Sequence, residues 1–294
     1  MHCKPTTRVL TLFGALLALT LVAPGAGAAE VSSRAQGQSL ITAQPDNPGA
    51  YMTYAAFLAD NGDPTEATRV LEKGRDRAEP SVDLNVALGN LYRDQKQWAK
   101  AETAAAAALV LRPDHTGALV LMGEIYFGRG RNSAGLESFR AAMASDPAAT
   151  RPKVRLLGGL VEDGQLEAAE EQCLRFVSAN TEDPDMWMAL GRIFERQGKH
   201  REAFTTYGQV LSLDPDRARA YARQGKLFCE FSQFEAAEIS CRRALDLDQD
   251  DALAHAYLGI ALSHLGDSDA ARLHAEVAEK AGMNMTVVWR KLDK

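Results

Sequence analysis

The residue types able to do chemistry are scattered through this chain rather than gathered. Three of the six histidines, His255, His264 and His274, fall in one stretch near the C-terminus. None stands four residues from another histidine or joins a cysteine at zinc spacing, so no metal centre is expected. Asp246, Asp248 and Asp250 occupy the first, third and fifth places of a calcium loop. Asp251 then stands where that loop needs glycine and Tyr257 where it needs glutamate, so the run reads as a turn. The chain shows no nucleophile elbow, phosphate loop or His-Glu metal motif. Neither a catalytic residue nor a cofactor is expected. One charged pattern remains: Arg151 and Arg155, Arg192 and Arg196, and Arg219 and Arg223 stand four residues apart. Like charges at that spacing on a helix repel by a few tenths of a kcal/mol per pair. Carboxylates on neighbouring helices would offset the repulsion, and so would an anionic partner.

Composition sets the frame for these residues. With 294 residues, 46% hydrophobic and 24% charged, the chain can bury a large core and is neither disordered nor fibrous. Its N-terminus carries Lys4 and Arg8, an apolar run from Val9 to Val22, and the small-residue pattern Ala26-Gly27-Ala28. That order reads as an export signal cleaved after residue 29. The run is shorter than the roughly 20 residues that cross a bilayer, and no later stretch is long and apolar enough. A soluble, exported, periplasmic or secreted mature chain is therefore expected. Removing Lys4 and Arg8 from the 33 Lys+Arg, with all 39 Asp+Glu retained, leaves a formal charge of −8. An acidic protein is a poor generic binder of nucleic acid. Cys3 leaves with the signal, and Cys173, Cys229 and Cys241 remain as an odd set without C-x-x-C spacing. Such a set makes a poor disulfide framework.

The elements that must position the arginines are legible as a repeat. From Pro48 a 34-residue window recurs seven times without gap, as 48–81, 82–115, 116–149, 150–183, 184–217, 218–251 and 252–285. Position 20 is Ala67, Ala101, Gly135, Ala169, Ala203, Ala237 and Ala271. Position 8 is Ala55, Gly89, Gly123, Leu157, Gly191, Gly225 and Gly259. A helix-interior glycine costs roughly 1 kcal/mol relative to alanine, so a recurring one needs a packing reason. Two antiparallel helices that cross closely at positions 8 and 20 supply it. Position 15 holds the turn, with Gly62, Gly130, Gly164, Gly198 and Gly266, and with Lys96 and Ser232 as exceptions. Pro113, Pro147 and Pro215 at position 32 end a hairpin before the next begins. With positions 8 and 20 opposed, Cys229 and Cys241 fall on opposite sides of one crossing, on the order of 12 Å apart. They read as small buried hydrophobes. Residues 30–47 form a leader whose stretch near 33–43 suits a capping helix. In the tail 286–294, Val288, Trp289 and Leu292 have the helical spacing to cap the last hairpin.

These residues, as in the run from Asp185 to Pro215, resemble the tetratricopeptide-repeat family over 48–285. The resemblance implies an all-α, right-handed superhelical solenoid of seven helix-turn-helix repeats. It also implies that positions 2, 5, 6, 9, 12 and 13 of each first helix line a concave groove. In windows four to six those positions carry Arg151, Arg155, Arg192, Arg196, Arg219, Arg223 and Lys226 against Glu162, Asp185, Glu195 and Glu230. This is a basic patch in an acidic chain. Val86, Val120, Leu121 and Phe127 make the groove of windows two and three apolar. The family's carboxylate clamp is matched only by Asn90, Arg151 and Arg155, while Val86 and Leu121 fill two of its polar places, so that activity does not transfer. The expected function is a non-catalytic scaffold that binds a protein or peptide with an acidic segment, in bacterial cell-envelope assembly. The alternatives are a substrate-recruiting subunit of a separate enzyme and a self-assembling structural protein. The oligomeric state and the identity of the partner are not legible.

Overall fold

The computed structural model describes residues 31–292, so the export signal read at 1–29 lies outside the described residues. Those residues form sixteen helices. They are α1 (Arg34–Ala43), α2 (Pro48–Asp60), α3 (Pro64–Arg77), α4 (Val82–Asp94), α5 (Trp98–Leu111), α6 (Thr116–Gly128), α7 (Asn132–Ser145) and α8 (Thr150–Glu162). There follow α9 (Leu166–Ala179), α10 (Pro184–Arg196), α11 (His200–Leu213), α12 (Ala218–Glu230), α13 (Phe234–Leu247), α14 (Ala252–Leu265), α15 (Ser268–Lys280) and α16 (Thr286–Leu292). From α2 onward each even-numbered helix up to α14 begins at the first residue of a 34-residue window. None of the described helices is long and apolar enough to cross a membrane. The chain divides into two compact units, one ending at Pro152 and the other beginning at Lys153.

Two kinds of helix start recur along the chain, each with its own chemistry, while α3 and α15 are second helices capped by Asp63 and Asp267 and α12 is a first helix without a side-chain cap. The first helix of most hairpins is capped by a side chain that accepts from an otherwise orphaned backbone N–H. Asn47 accepts from Gly49, Ser81 from Leu84, Asp183 from Asp185 and Met186, and Asp251 from Ala254. Pro48 and Pro184 add a first helical residue with a preset φ. The second helices α5, α7, α9, α11 and α13 have no side-chain cap. Here the chain turns through one left-handed residue at position 15, and the backbone closes the preceding helix. The N–H of Gln97 bonds the Tyr92 carbonyl at 2.8 Å, that of Lys199 the Phe194 carbonyl at 2.9 Å, and that of Gln233 the Phe228 carbonyl at 2.8 Å. This is the Schellman pattern, which glycine favours. Lys96 (φ 58°) and Ser232 (φ 59°) adopt the same conformation with a Cβ.

Inside the hairpins the small residues at positions 8 and 20 meet. A Cβ on Gly89, Gly225 or Gly259 would lie 3.3–3.5 Å from the carbonyl oxygen of Ala101, Ala237 or Ala271 respectively. Position 8 also makes room for the side chain at position 24 of the same hairpin. A Cβ on Gly123 would strike the Phe139 ring, one on Gly225 the Cys241 sulfur, and one on Gly191 the Tyr207 ring at 2.5 Å. Cys241 is thus a buried filler, its thiol pushed up by burial. Cys173, Cys229 and Cys241 are all free thiols.

At the start of the first unit, α1 buries Ile41 and lays Gly37 against the Tyr54 ring, and Arg34 pairs with Asp63 at 2.7 Å. In the second unit α16 buries Val288, and Arg272 stacks over Trp289. His255 of α14 and His274 of α15 join the last hairpin through their Nδ1 atoms at 2.9 Å, and His255 Nε2 lies 3.0 Å from the Gln249 carbonyl. Because a carbonyl only accepts, His255 carries its hydrogen on Nε2, and His274 donates to its bare Nδ1. The aspartate run is a turn: Asp248 accepts from the Asp250 N–H, and Asp251 caps α14.

Candidate functional site

Two basic residues of the second unit, Arg223 and Lys226, converge on one carboxylate. Glu195, near the end of α10, has a side chain only 4% exposed. Lys226 of α12 donates to it at 2.5 Å, the Tyr207 hydroxyl of α11 at 2.5 Å, and Arg223 of α12 at 3.2 Å. Burial alone would raise the Glu195 carboxyl. The hydrogen bonds from Lys226 and Tyr207 and the charges of Arg223 and Lys226 outweigh it and hold the group below the ordinary carboxylate range. Burial, then the charge of Glu195, pushes the Tyr207 hydroxyl well up, so that it stays a donor.

The small-residue rule of the fold places this cluster. Tyr207 sits at position 24, fully buried, in the space that Gly191 leaves open. Only from there does its hydroxyl reach across the hairpin to Glu195. The glycine demanded by helix packing is therefore also what fixes the carboxylate that gathers Arg223 and Lys226.

Three cations on the same two helices are not gathered. Arg192 and Arg196 of α10 and Arg219 of α12 are exposed, and no carboxylate stands within ion-pair distance of them among the described residues. What burial the Arg192 guanidinium has, together with the positive charges of Arg223 and Arg219, holds it below the ordinary arginine range. The nearby carboxylates are otherwise engaged: Asp185 accepts from Arg217 at 2.9 Å, and Glu230 lies 2.7 Å from His200 Nδ1 and 3.6 Å from Lys226. Arg223 keeps a buried Nε without an acceptor among the described residues. The cluster thus holds a surplus of positive charge and donors that can take a carboxylate by charge-assisted hydrogen bonds.

The other predicted residues divide differently. Arg155 is exposed on α8. Arg151 belongs to the first unit, where it stands 3.8 Å from Glu124, a carboxylate that also binds Arg93.

The apolar groove needs correction. Val120 and Leu121 are 0% and 1% exposed and cannot line a peptide groove. Val120 stands at position 5, where Met188, Ala222 and Ala256 are buried too. For Leu121 the reason lies in the alanine-rich α5, which has Ala105 at position 24 and leaves the space at Gly89 unfilled. Leu121 fills it from the next hairpin, 2.6 Å from where a Gly89 Cβ would stand. Phe127 is half-buried, stacked on Phe139 with centroids 5.7 Å apart and pressed over Gly135. Val86, also half-buried, packs against the first unit's core.

Comparison with known proteins matches the repeat and the helical fold. Tetratricopeptide-repeat models match residues 86–150, 159–218 and 195–252, and a second such model matches 240–273. The human Protein O-mannosyl-transferase TMTC1 is 26% identical over 185 residues, 59% of this chain, and the chain spans only 20% of that relative's length. The crystal structure of yeast Tom70 superposes with a TM-score of 0.72 at 16% identity, covering 88% of this chain and 56% of that one. A tetratricopeptide repeat protein from Parabacteroides merdae superposes with a TM-score of 0.61 at 16% identity, covering 88% and 98%. With more than half of its residues matched by the repeat models and its helices paired into the same hairpins, the chain belongs to the tetratricopeptide-repeat family.

Proposed function

We propose that this chain is a non-catalytic scaffold whose second unit holds an acidic peptide segment of a partner protein against α10 and α12. The observation that carries the reading is the division among the cations. Glu195 engages Arg223 and Lys226, while Arg192, Arg196 and Arg219 stand exposed beside it with no carboxylate within ion-pair distance among the described residues. Exposed surplus charge on two neighbouring first helices favours an extended anionic chain bound by its carboxylates. A photo-crosslinking side chain at Arg196 tests this in the native compartment. The captured peptide should be rich in Asp and Glu, and the same probe at Arg201, on α11, should not capture it. Capture of a neutral or basic segment at Arg196 would contradict the reading.

The compartment we infer is the periplasm or the exterior, on the strength of Lys4, Arg8, the apolar run Val9–Val22 and Ala26-Gly27-Ala28. A scaffold in bacterial cell-envelope assembly fits that placement. The similarity to one stretch of a protein named as a transferase favours a second reading, a recruiting subunit that brings substrate to a separate catalytic chain. Enzymatic activity that co-purifies with the chain and is missing from the isolated protein would distinguish it.

A further inference from the structure

Glu195 is more than a packing partner for its neighbours. Its carboxylate is the only negative group within ion-pair distance of Arg223 among the described residues, and it binds Lys226 more closely than Glu230 does, at 2.5 against 3.6 Å. It comes from the same helix as Arg192 and Arg196, one turn from Arg192 and next to Arg196 in sequence. A carboxylate that occupies two cations of a basic surface does what an anionic ligand would do there. Resting on the peptide-binding reading above, we propose that Glu195 is a built-in competitor that sets the charge the partner must carry, withholding Arg223 and Lys226 and leaving Arg192, Arg196 and Arg219 to the ligand. The site is thereby matched to a sparsely acidic segment and spared from trapping every polyanion.

Three features support a specificity role. The three donors come from two different helices, α11 and α12, onto a third, so the carboxylate is held in place from several sides. Lys226 and Arg223 are 21% and 24% exposed, open enough for a ligand to reach once the carboxylate is neutral. Arg223 reaches Glu195 through Nη1 alone, and its buried Nε has no acceptor among the described residues, so the guanidinium fork is only partly used.

The test uses the full chain and a fluorescein-labelled oligo-glutamate peptide read by anisotropy. Glu195→Gln should tighten binding by about three- to tenfold and steepen its loss with salt, because two more cations then face the ligand. Tyr207→Phe, which removes a hydrogen bond and no charge, should leave the salt dependence unchanged. Equal or weaker binding by Glu195→Gln at every salt concentration would overturn the proposal. In the wild-type protein, the Arg192 and Arg219 Nε–H resonances should shift on titration with the peptide while the Lys226 ammonium does not. A Lys226 shift as large as that of Arg192 would overturn the proposal even if Glu195→Gln does not fold. The reading beneath it fails separately: reversing Arg192, Arg196 and Arg219 to Glu would then leave the peptide bound.

Discussion

Glu195 shows how one side chain can serve both fold and surface charge. Because its carboxyl is held below the ordinary value of 4.5, its contribution is complete above that pH and is lost as pH falls through the lower folded value. Removing one partner of a buried pair costs several kcal/mol, and less where the partners are part-exposed as here. Glu195→Gln should therefore be less stable than wild type by about 1–2 kcal/mol at pH 7. The gap should close below pH 4.5, as urea titrations at stepped pH can measure. A gap independent of pH would mean that the charge contributes nothing. The arginine pairs were visible in the sequence, but which of them meet carboxylates was not. Arg223 reaches Glu195 across 28 residues of chain, and that contact exists only once α10 and α12 are packed side by side. Tyr207 carried no signal either, since an aromatic at a core position reads as packing. The histidine pair had one: helices that oppose positions 8 and 20 nearly oppose 4 and 23, where His255 and His274 stand.

Among the elements, the turns and the crossings were the most legible, because each depends on a single residue's sterics. Six described glycines have positive φ, five of them at position 15, and the sequence also marked the two exceptions. A Cβ in the left-handed region costs roughly 1–2 kcal/mol, against roughly 0.5–1 kcal/mol of extra chain entropy lost by glycine. Lys96→Gly and Ser232→Gly should each stabilise the protein by about 0.5–1 kcal/mol, seen as a higher denaturant midpoint with an unchanged slope. Destabilisation by both would show that their side chains hold the turns. Gly191→Ala is the converse case, since the added Cβ would stand 2.5 Å from the Tyr207 ring. Overpacking there should cost about 1–3 kcal/mol and move the Tyr207 hydroxyl away from Glu195. The variant should thus unfold earlier while binding acidic peptide with the salt dependence of Tyr207→Phe. The groove positions implied by the resemblance failed at Val120 and Leu121, which are buried. The groove positions come from the family resemblance, which does not register what an individual repeat has at position 24. The all-alanine face of α5 draws Leu121 inward instead.

At the scale of the molecule, the repeat register was readable because each hairpin's rules concern only itself and its neighbours. The partner is not written in that register, since the groove residues are the ones packing leaves free to vary. Export is checked by sequencing the N-terminus of protein recovered from outside the cytoplasm: it should begin at or near Ala29, and material still starting at Met1 would contradict cleavage. The central claim is the capture of an acidic segment by α10 and α12. Its most direct measurement is the affinity of the wild-type chain and of Arg192→Glu/Arg196→Glu/Arg219→Glu for labelled oligo-glutamate, at low salt and at physiological salt, beside circular dichroism of both proteins. The three arginines carry no ion pair among the described residues, so reversing them should leave the helical signal and the melting temperature nearly unchanged while binding falls at least tenfold. Wild-type binding should itself weaken as salt rises, since charges on an exposed face are screened within about 8 Å at physiological ionic strength. A folded triple variant that binds the peptide as tightly as wild type, with the same salt dependence, would contradict the account.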